Sequence, residues 1–154
     1  MNIRGVMFEI PQETTNILWS ILRKIVVDHQ YYWWIDKNQS EVWDEKLDSD
    51  FFEKSTYTWM EFLARIKKNC KIVFLKMQAY SELVLFENLT QYDEFLNSPC
   101  QLIFLIYDCE YVEIYVKDTE QIDIIYRAAI EKGFKNVTYI TDQNDARTNL
   151  NICI

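Results

Sequence analysis

The side chains with the means to do chemistry gather in two short runs. Near the C-terminal end, Asp142, Asp145 and Arg147 follow one another within six positions. Two carboxylates beside a guanidinium could hold a small molecule, or carry acid and base steps, in a cleft along the last strand. The run is also rich in Asn and Asp, which hydrogen-bond their own backbone, so its plainer reading is a turn. Earlier in the chain, Tyr32, Trp34, Asp36, Glu41 and Trp43 interleave aromatic rings with carboxylates. That is the composition of a surface that anchors a basic protein partner by its rings and steers it by its charge.

Most other chemistry is excluded by composition. The two glycines, Gly5 and Gly133, are too few and too far apart for a phosphate loop or a dinucleotide fingerprint. The single histidine, His29, sits among aromatics and reads as a packed or solvated ring rather than a base. Four cysteines without a C-x-x-C pair, beside one histidine, give no zinc-ligand spacing. No serine stands in a G-x-S-x-G elbow. Asp44, Asp48, Asp50 and Glu53 share only acidity with a calcium loop, because the central glycine and the ligand spacing are missing. No cofactor or metal is expected, and a non-catalytic protein is the reading.

The elements that must position these residues are organised around the stretch from Cys100 to Thr141. The apolar run from Leu102 to Tyr107 is too short to span a membrane and reads as a central strand buried on both faces. Asp108, Cys109 and Glu110 turn it. The return strand puts Val112, Ile114 and Val116 on one side and Tyr111, Glu113 and Tyr115 on the other, which predicts cover on one face only. A helix from Thr119 to Lys132 follows, with Asp118 and Gln121 as a capping box and Ile122, Ile125, Tyr126, Ala129 and Ile130 as its stripe. Gly133 ends that helix in the left-handed region, and residues 136–141 form a further strand.

Upstream, residues 3–10 read as a strand stopped by Pro11, and Thr14 or Thr15 caps a helix whose apolar positions run from Ile17 to Val26. Two short strands ending at Asp36 and starting at Glu41 predict a hairpin closed by a four-residue loop, with Trp34 facing Trp43. Thr58 and Glu61 form a capping box for a helix to Asn69. A strand from Lys71 to Tyr80 follows, then a short helix capped by Thr90 with Asp93. Leu150, Ile152 and Cys153 suggest a last edge strand.

The formal charge is −8, and it is regional. Residues 36–53 hold seven acids against two lysines and residues 108–123 six against one, so these stretches carry −10 and the rest +2. Nucleic acid and anionic membrane are poor partners for such a surface, whereas a basic protein fits it. The first apolar run carries a charge and lacks a small-residue cleavage pattern, so a cytoplasmic protein is expected. Reduced cysteines agree, since an extended strand of about 26 Å holds Cys100 and Cys109 beyond disulfide reach.

Two segments carry a family resemblance. Arg4-Gly5-Val6-Met7-Phe8-Glu9-Ile10-Pro11 and Tyr139-Ile140-Thr141-Asp142-Gln143-Asn144-Asp145-Ala146-Arg147-Thr148 resemble the opening and closing motifs of small Bacillus and clostridial proteins grouped as domain of unknown function 2691, and residues 92–98 add to the likeness. The resemblance implies a bacterial cytosolic single domain and no particular activity, cofactor or site. With no linker in 154 residues, the expected architecture is one α+β domain over residues 1–154, with a mixed sheet of about six or seven strands and about four helices mainly on one face.

Overall fold

The computed structural model describes residues 1–152. In chain order it contains β1 (Ile3–Glu9), α1 (Ile17–Asp28), β2 (Tyr32–Ile35), a single 3-10 turn (Lys37–Gln39), β3 (Glu41–Asp44), β4 (Thr56–Tyr57), α2 (Trp59–Ile66), β5 (Cys70–Tyr80), α3 (Tyr92–Leu96), β6 (Cys100–Tyr107), β7 (Tyr111–Val116), α4 (Thr119–Glu131) and β8 (Lys135–Thr141). The α+β architecture is as expected, and the strands form one sheet ordered β4-β2-β5-β6-β7-β1-β8, with β3 also on β5. All the pairings are antiparallel, so the sheet is not mixed. The reason lies in the connections. Helix α4 joins β7 to β8 with β1 inserted between them, and α2 joins β4 to β5 with β2 inserted, so each parallel pair is split by an antiparallel neighbour.

The strand from Cys100 to Tyr107 is central, as its apolar run requires. It is buried on both faces. On one face, α1 contributes Ile17, Leu18, Ile21, Leu22, Ile25 and Val26 to a core shared with Leu75, Met77, Phe104 and Ile114. Trp33 joins this core and stacks on Phe62 of α2 at 4.3 Å. On the other face, Ile103, Leu105, Tyr115 and Ile140 pack with Phe95 of α3 and with Leu89 and Leu150, which lie in chain without regular structure. The second face is therefore closed mainly by irregular segments, around residues 83–91 and 142–152. Their presence explains why Tyr115 is buried, against the expectation that β7 is covered on one side only.

Local sequence sets several element ends. The box at α2 is complete, with the Glu61 amide donating to Thr58 Oγ1 at 3.3 Å and the Thr58 amide donating to Glu61 Oε1 at 2.9 Å. At α1 the N-cap is Asn16, with no side-chain bond, rather than Thr14 or Thr15. At α3 the cap falls at Gln91, one residue later than expected, because Glu94 is the acid that accepts the Gln91 amide at 2.9 Å and the Thr90 hydroxyl at 2.7 Å. Asp118 caps α4, but Gln121 turns inward to the Tyr31 hydroxyl at 2.8 Å instead of closing a box. Ile130 leaves the expected stripe and is exposed.

Two glycines have separate reasons. Gly133 has φ of 73°, and the Phe134 amide reaches Ala129 O at 3.1 Å while the Gly133 amide reaches Ile130 O at 3.0 Å, which is the paired bonding of a Schellman stop. Gly5 lies where β1 meets β7, and a Cβ there would sit 1.8 Å from Ile114 O. In the turn between β6 and β7, Asp108 and Cys109 both take positive φ, as a type I′ turn demands. Cys70, Cys100 and Cys109 are free thiols, while Cys153 lies outside the described residues. No helix among the described residues is long and apolar enough to cross a membrane.

Candidate functional site

The expected hairpin does not form. Asp36 accepts the Asn38 amide at 3.0 Å and starts a 3-10 turn, which carries the chain onward along β5 instead of back on itself. Strand β5 has 11 residues, enough for β2 to pair near its end and β3 near its start. Trp34 consequently stands opposite Gln78 and Trp43 opposite Lys71. Seven positions along a strand separate those partners, roughly 20 Å. Tyr31, Trp33 and Ile35 are buried, while Tyr32, Trp34 and Trp43 are half-buried and Glu41 is exposed. Asp36 is no rim charge. It is 4% exposed and also accepts the Gln39 amide group at 2.9 Å. Trp34 packs against the second core, and Trp43 donates to Glu41 at 3.1 Å. The five residues thus share no single surface.

The C-terminal run is drawn together more tightly. After β8, Thr141 Oγ1 accepts the Gln143 and Asn144 amides, each at 3.2 Å, and Asn144 Oδ1 accepts the Thr141 amide at 2.7 Å. This is the turn that the Asn and Asp content predicts. It does more than reverse the chain, because it lays residues 145–152 across the second face of the sheet. Asp145 is anchored there by Arg4 Nη1 at 3.0 Å, the Tyr115 hydroxyl at 3.0 Å and the Arg147 amide at 3.1 Å. Arg4 in turn stacks on the Tyr92 ring at 4.1 Å. With its oxygens so occupied, Asp145 is a fastening for the segment rather than a base. Burial, with Asp145 adding to it, pushes the Tyr115 phenol well above its ordinary value.

Arg147 meets a different partner. Its Nε donates to Glu113 Oε1 at 2.6 Å, its Nη1 to Asn151 O at 2.9 Å, and its guanidinium lies 5.3 Å from the Tyr107 ring. The Tyr107 hydroxyl donates to the other Glu113 oxygen at 2.6 Å. Burial and that donation push the Tyr107 phenol up to about 12, so it remains a neutral donor. Side-chain exposures of 19% for Arg147 and 14% for Glu113 place the pair at a boundary between core and solvent. There a groove of about 540 Å³ opens, lined by these three side chains with Asn144, Asn149 and Asn151 and with Met7, Ile140 and Ile152 as apolar wall. Asp142 is outside it, exposed, with the Asn2 amide donating to its side chain at 3.1 Å.

Beneath the groove a buried polar layer holds the cover to the sheet. Asn151 Oδ1 accepts from Gln39 at 3.2 Å and from Asn88 at 3.0 Å, and Gln39 Oε1 accepts the Ile152 amide at 2.7 Å. Gln78 donates to Glu87 O at 2.9 Å and accepts the Leu89 amide at 3.0 Å. Lys76 Nζ donates to Leu89 O at 2.7 Å, and burial draws its pKa down to about 8, with Asp36 acting against the shift. Sequence reading missed Tyr107, Glu113, Arg4 and Tyr115 as members of the site. The signal for Glu113 and Tyr115 was present in the alternation of β7, and Leu150 with Ile152 marked the segment that covers them.

The arrangement can bind, through one charged pair, a phenol and several amides. It brings no nucleophile against a base, and among the described residues no cluster of three or more His, Cys, Asp or Glu could hold a metal.

Comparison with known proteins extends this picture across the chain. No solved structure matches. An uncharacterised protein of Bacillus subtilis strain 168, YncE, is 33% identical over 152 residues, which is 97% of this chain and 99% of that protein. The family model described as protein of unknown function DUF2691 matches residues 3–151, a span that includes both the sheet and the segments that close its second face. The chain therefore belongs to the DUF2691 family.

Proposed function

We propose that the protein is a non-catalytic binding protein that takes a small polar molecule in the groove between β7 and the C-terminal segment. One observation carries this reading: Tyr107, Glu113 and Arg147 come from two strands and the covering segment, and meet on a groove of about 540 Å³. That volume lies within the range of small-molecule sites, about 300–1,000 Å³, where a few convergent polar groups fix orientation against an apolar wall. Among the described residues Arg147 Nη2 has no hydrogen-bond partner, and Asn144 and Asn149 add amide groups. The matched ligand therefore carries hydrogen-bond acceptors for the guanidinium and a flat or apolar part for Met7, Ile140 and Ile152. The charge pairs at Arg147 and Arg4 leave the lining close to neutral, which favours a neutral or zwitterionic molecule over a strong anion.

Thr148 gives the test. It is exposed, lines the groove and makes no side-chain hydrogen bond among the described residues, so Thr148→Trp fills the space without breaking the network. A thermal-shift screen against amino acids, amides and small sugars should find compounds that stabilise the wild type, by about 2.7 kcal/mol at a hundredfold excess over Kd. The same compounds should leave Thr148→Trp unmoved. Equal stabilisation of both proteins would place the ligand elsewhere.

A further inference from the structure

A second cavity lies on the opposite, helical face, between α1 and α4, with a volume of about 360 Å³. Arg23 and Lys24 of α1 line it together with Arg127 of α4 and Lys132 at that helix's end, and Glu131 is the one acid among them. Four cations against one acid is a local excess of +3 on a chain whose formal charge is −8. Among the described residues none of the four cations stands in a salt bridge. The dipole of α4 accounts for Lys132, its C-cap, but not for Arg127, which precedes the last turn of α4, nor for Arg23 and Lys24, which precede the last turn of α1.

Ser20 supplies an independent sign of a ligand. It lines the same cavity, is 4% exposed, and its Oγ has no hydrogen-bond partner. A serine inside a helix ordinarily returns its hydroxyl to the carbonyl four residues earlier. Buried polar groups are as a rule satisfied. Of the four unpartnered ones among the described residues, Ser20 Oγ, Trp33 Nε1, Asn88 Oδ1 and Gln121 Oε1, Ser20 is the one whose residue lines a cavity of cations outside any salt bridge, which calls for an acceptor with negative charge.

We propose that the cavity between α1 and α4 binds a small organic molecule through a phosphate-type oxyanion, with Ser20 Oγ donating to the anion and Arg23 and Arg127 approaching it as forked donors. Arginine suits this role because its planar fork matches two oxygens at once, while Lys24 and Lys132 add point charge. The site is distinct from the near-neutral groove on the other face and goes beyond the function proposed for that groove. Its size admits a monophosphate head with a small body and excludes a nucleic-acid strand.

Amide chemical shifts measured during titration with sodium phosphate and with pyrophosphate, at ionic strength held constant with sodium chloride, test this directly. The expected shifts saturate and centre on residues 20–24 and 124–132. The double variant Arg23→Gln with Arg127→Gln should weaken binding about tenfold or more. Ser20→Ala should weaken it several-fold while leaving the melting temperature unchanged or raised, because the unpaired hydroxyl is gone. Shifts scattered over surface cations such as Lys67 and Lys68, shifts that chloride reproduces, or an affinity that either variant leaves unchanged would each overturn the proposal.

Discussion

Lys76 has no solvent exposure and titrates low. An unfolded lysine titrates near about 10.4, so between pH 8 and that value the unfolded chain binds the extra proton. Stability from this group therefore rises with pH across the window: the cost of burying the charge is complete below pH 8 and absent above about 10.5. Denaturant titrations of wild type and Lys76→Met at about pH 7.5 and 10 should show the wild type gaining about 2 kcal/mol relative to the variant. The buried thiol of Cys70, pushed up to about 12 by burial alone, titrates alike in both proteins and cancels. A gap that stays flat would mean that Lys76 keeps an ordinary pKa in the fold. At Gly133 the reasoning is steric. An added Cβ meets nothing within 4 Å, so Gly133→Ala isolates the strain of φ 73°, about 1 kcal/mol, without any clash. Equilibrium unfolding that shows no loss would contradict the left-handed stop. This position was legible in the sequence because only one residue type fits the backbone there freely. Asp36 was not legible, since a carboxylate that caps a turn and one that rims a surface look the same until the turn is known.

Among the elements, those set by periodicity and local caps were readable: β1, α1, α2, β5, β6, β7, α4 and β8 all stand near their expected positions. What depended on long-range pairing was not. The residues between β2 and β3 suit a hairpin loop, and only the length of β5 shows that both strands can line up along one partner. The difference has an energetic consequence for the two tryptophans. Trp34 packs against Tyr80 and its neighbours in the second core, whereas Trp43 lies beyond that cluster and bonds Glu41. Trp34→Ala should therefore cost about 2 kcal/mol or more of folding stability, and Trp43→Ala clearly less. Urea midpoints for the two variants settle the order, and equal losses would mean that Trp34 takes no part in the second core.

At the scale of the whole molecule, the sheet has a helical face and a face closed by chain without regular structure, and the two faces offer different chemistry. The helical face was foreseen because amphipathic helices announce themselves. The second cover was not, because residues 83–91 and 142–152 have no period, and their hold on the sheet rests on side chains far apart in sequence, such as Arg4 with Asp145 and Glu113 with Arg147. Asp145 and Arg147 stand out in the sequence, yet their partners lie on β1 and β7 and could be named only once those strands were placed. Whether a ligand sits in the groove beside Glu113 and Arg147 is read by amide shift mapping with the compounds that stabilise the wild type. Binding there shifts amides centred on Tyr107, Glu113 and residues 144–152, saturating with ligand and absent in Thr148→Trp. Saturable shifts centred on any other surface, with those residues unmoved, would contradict it.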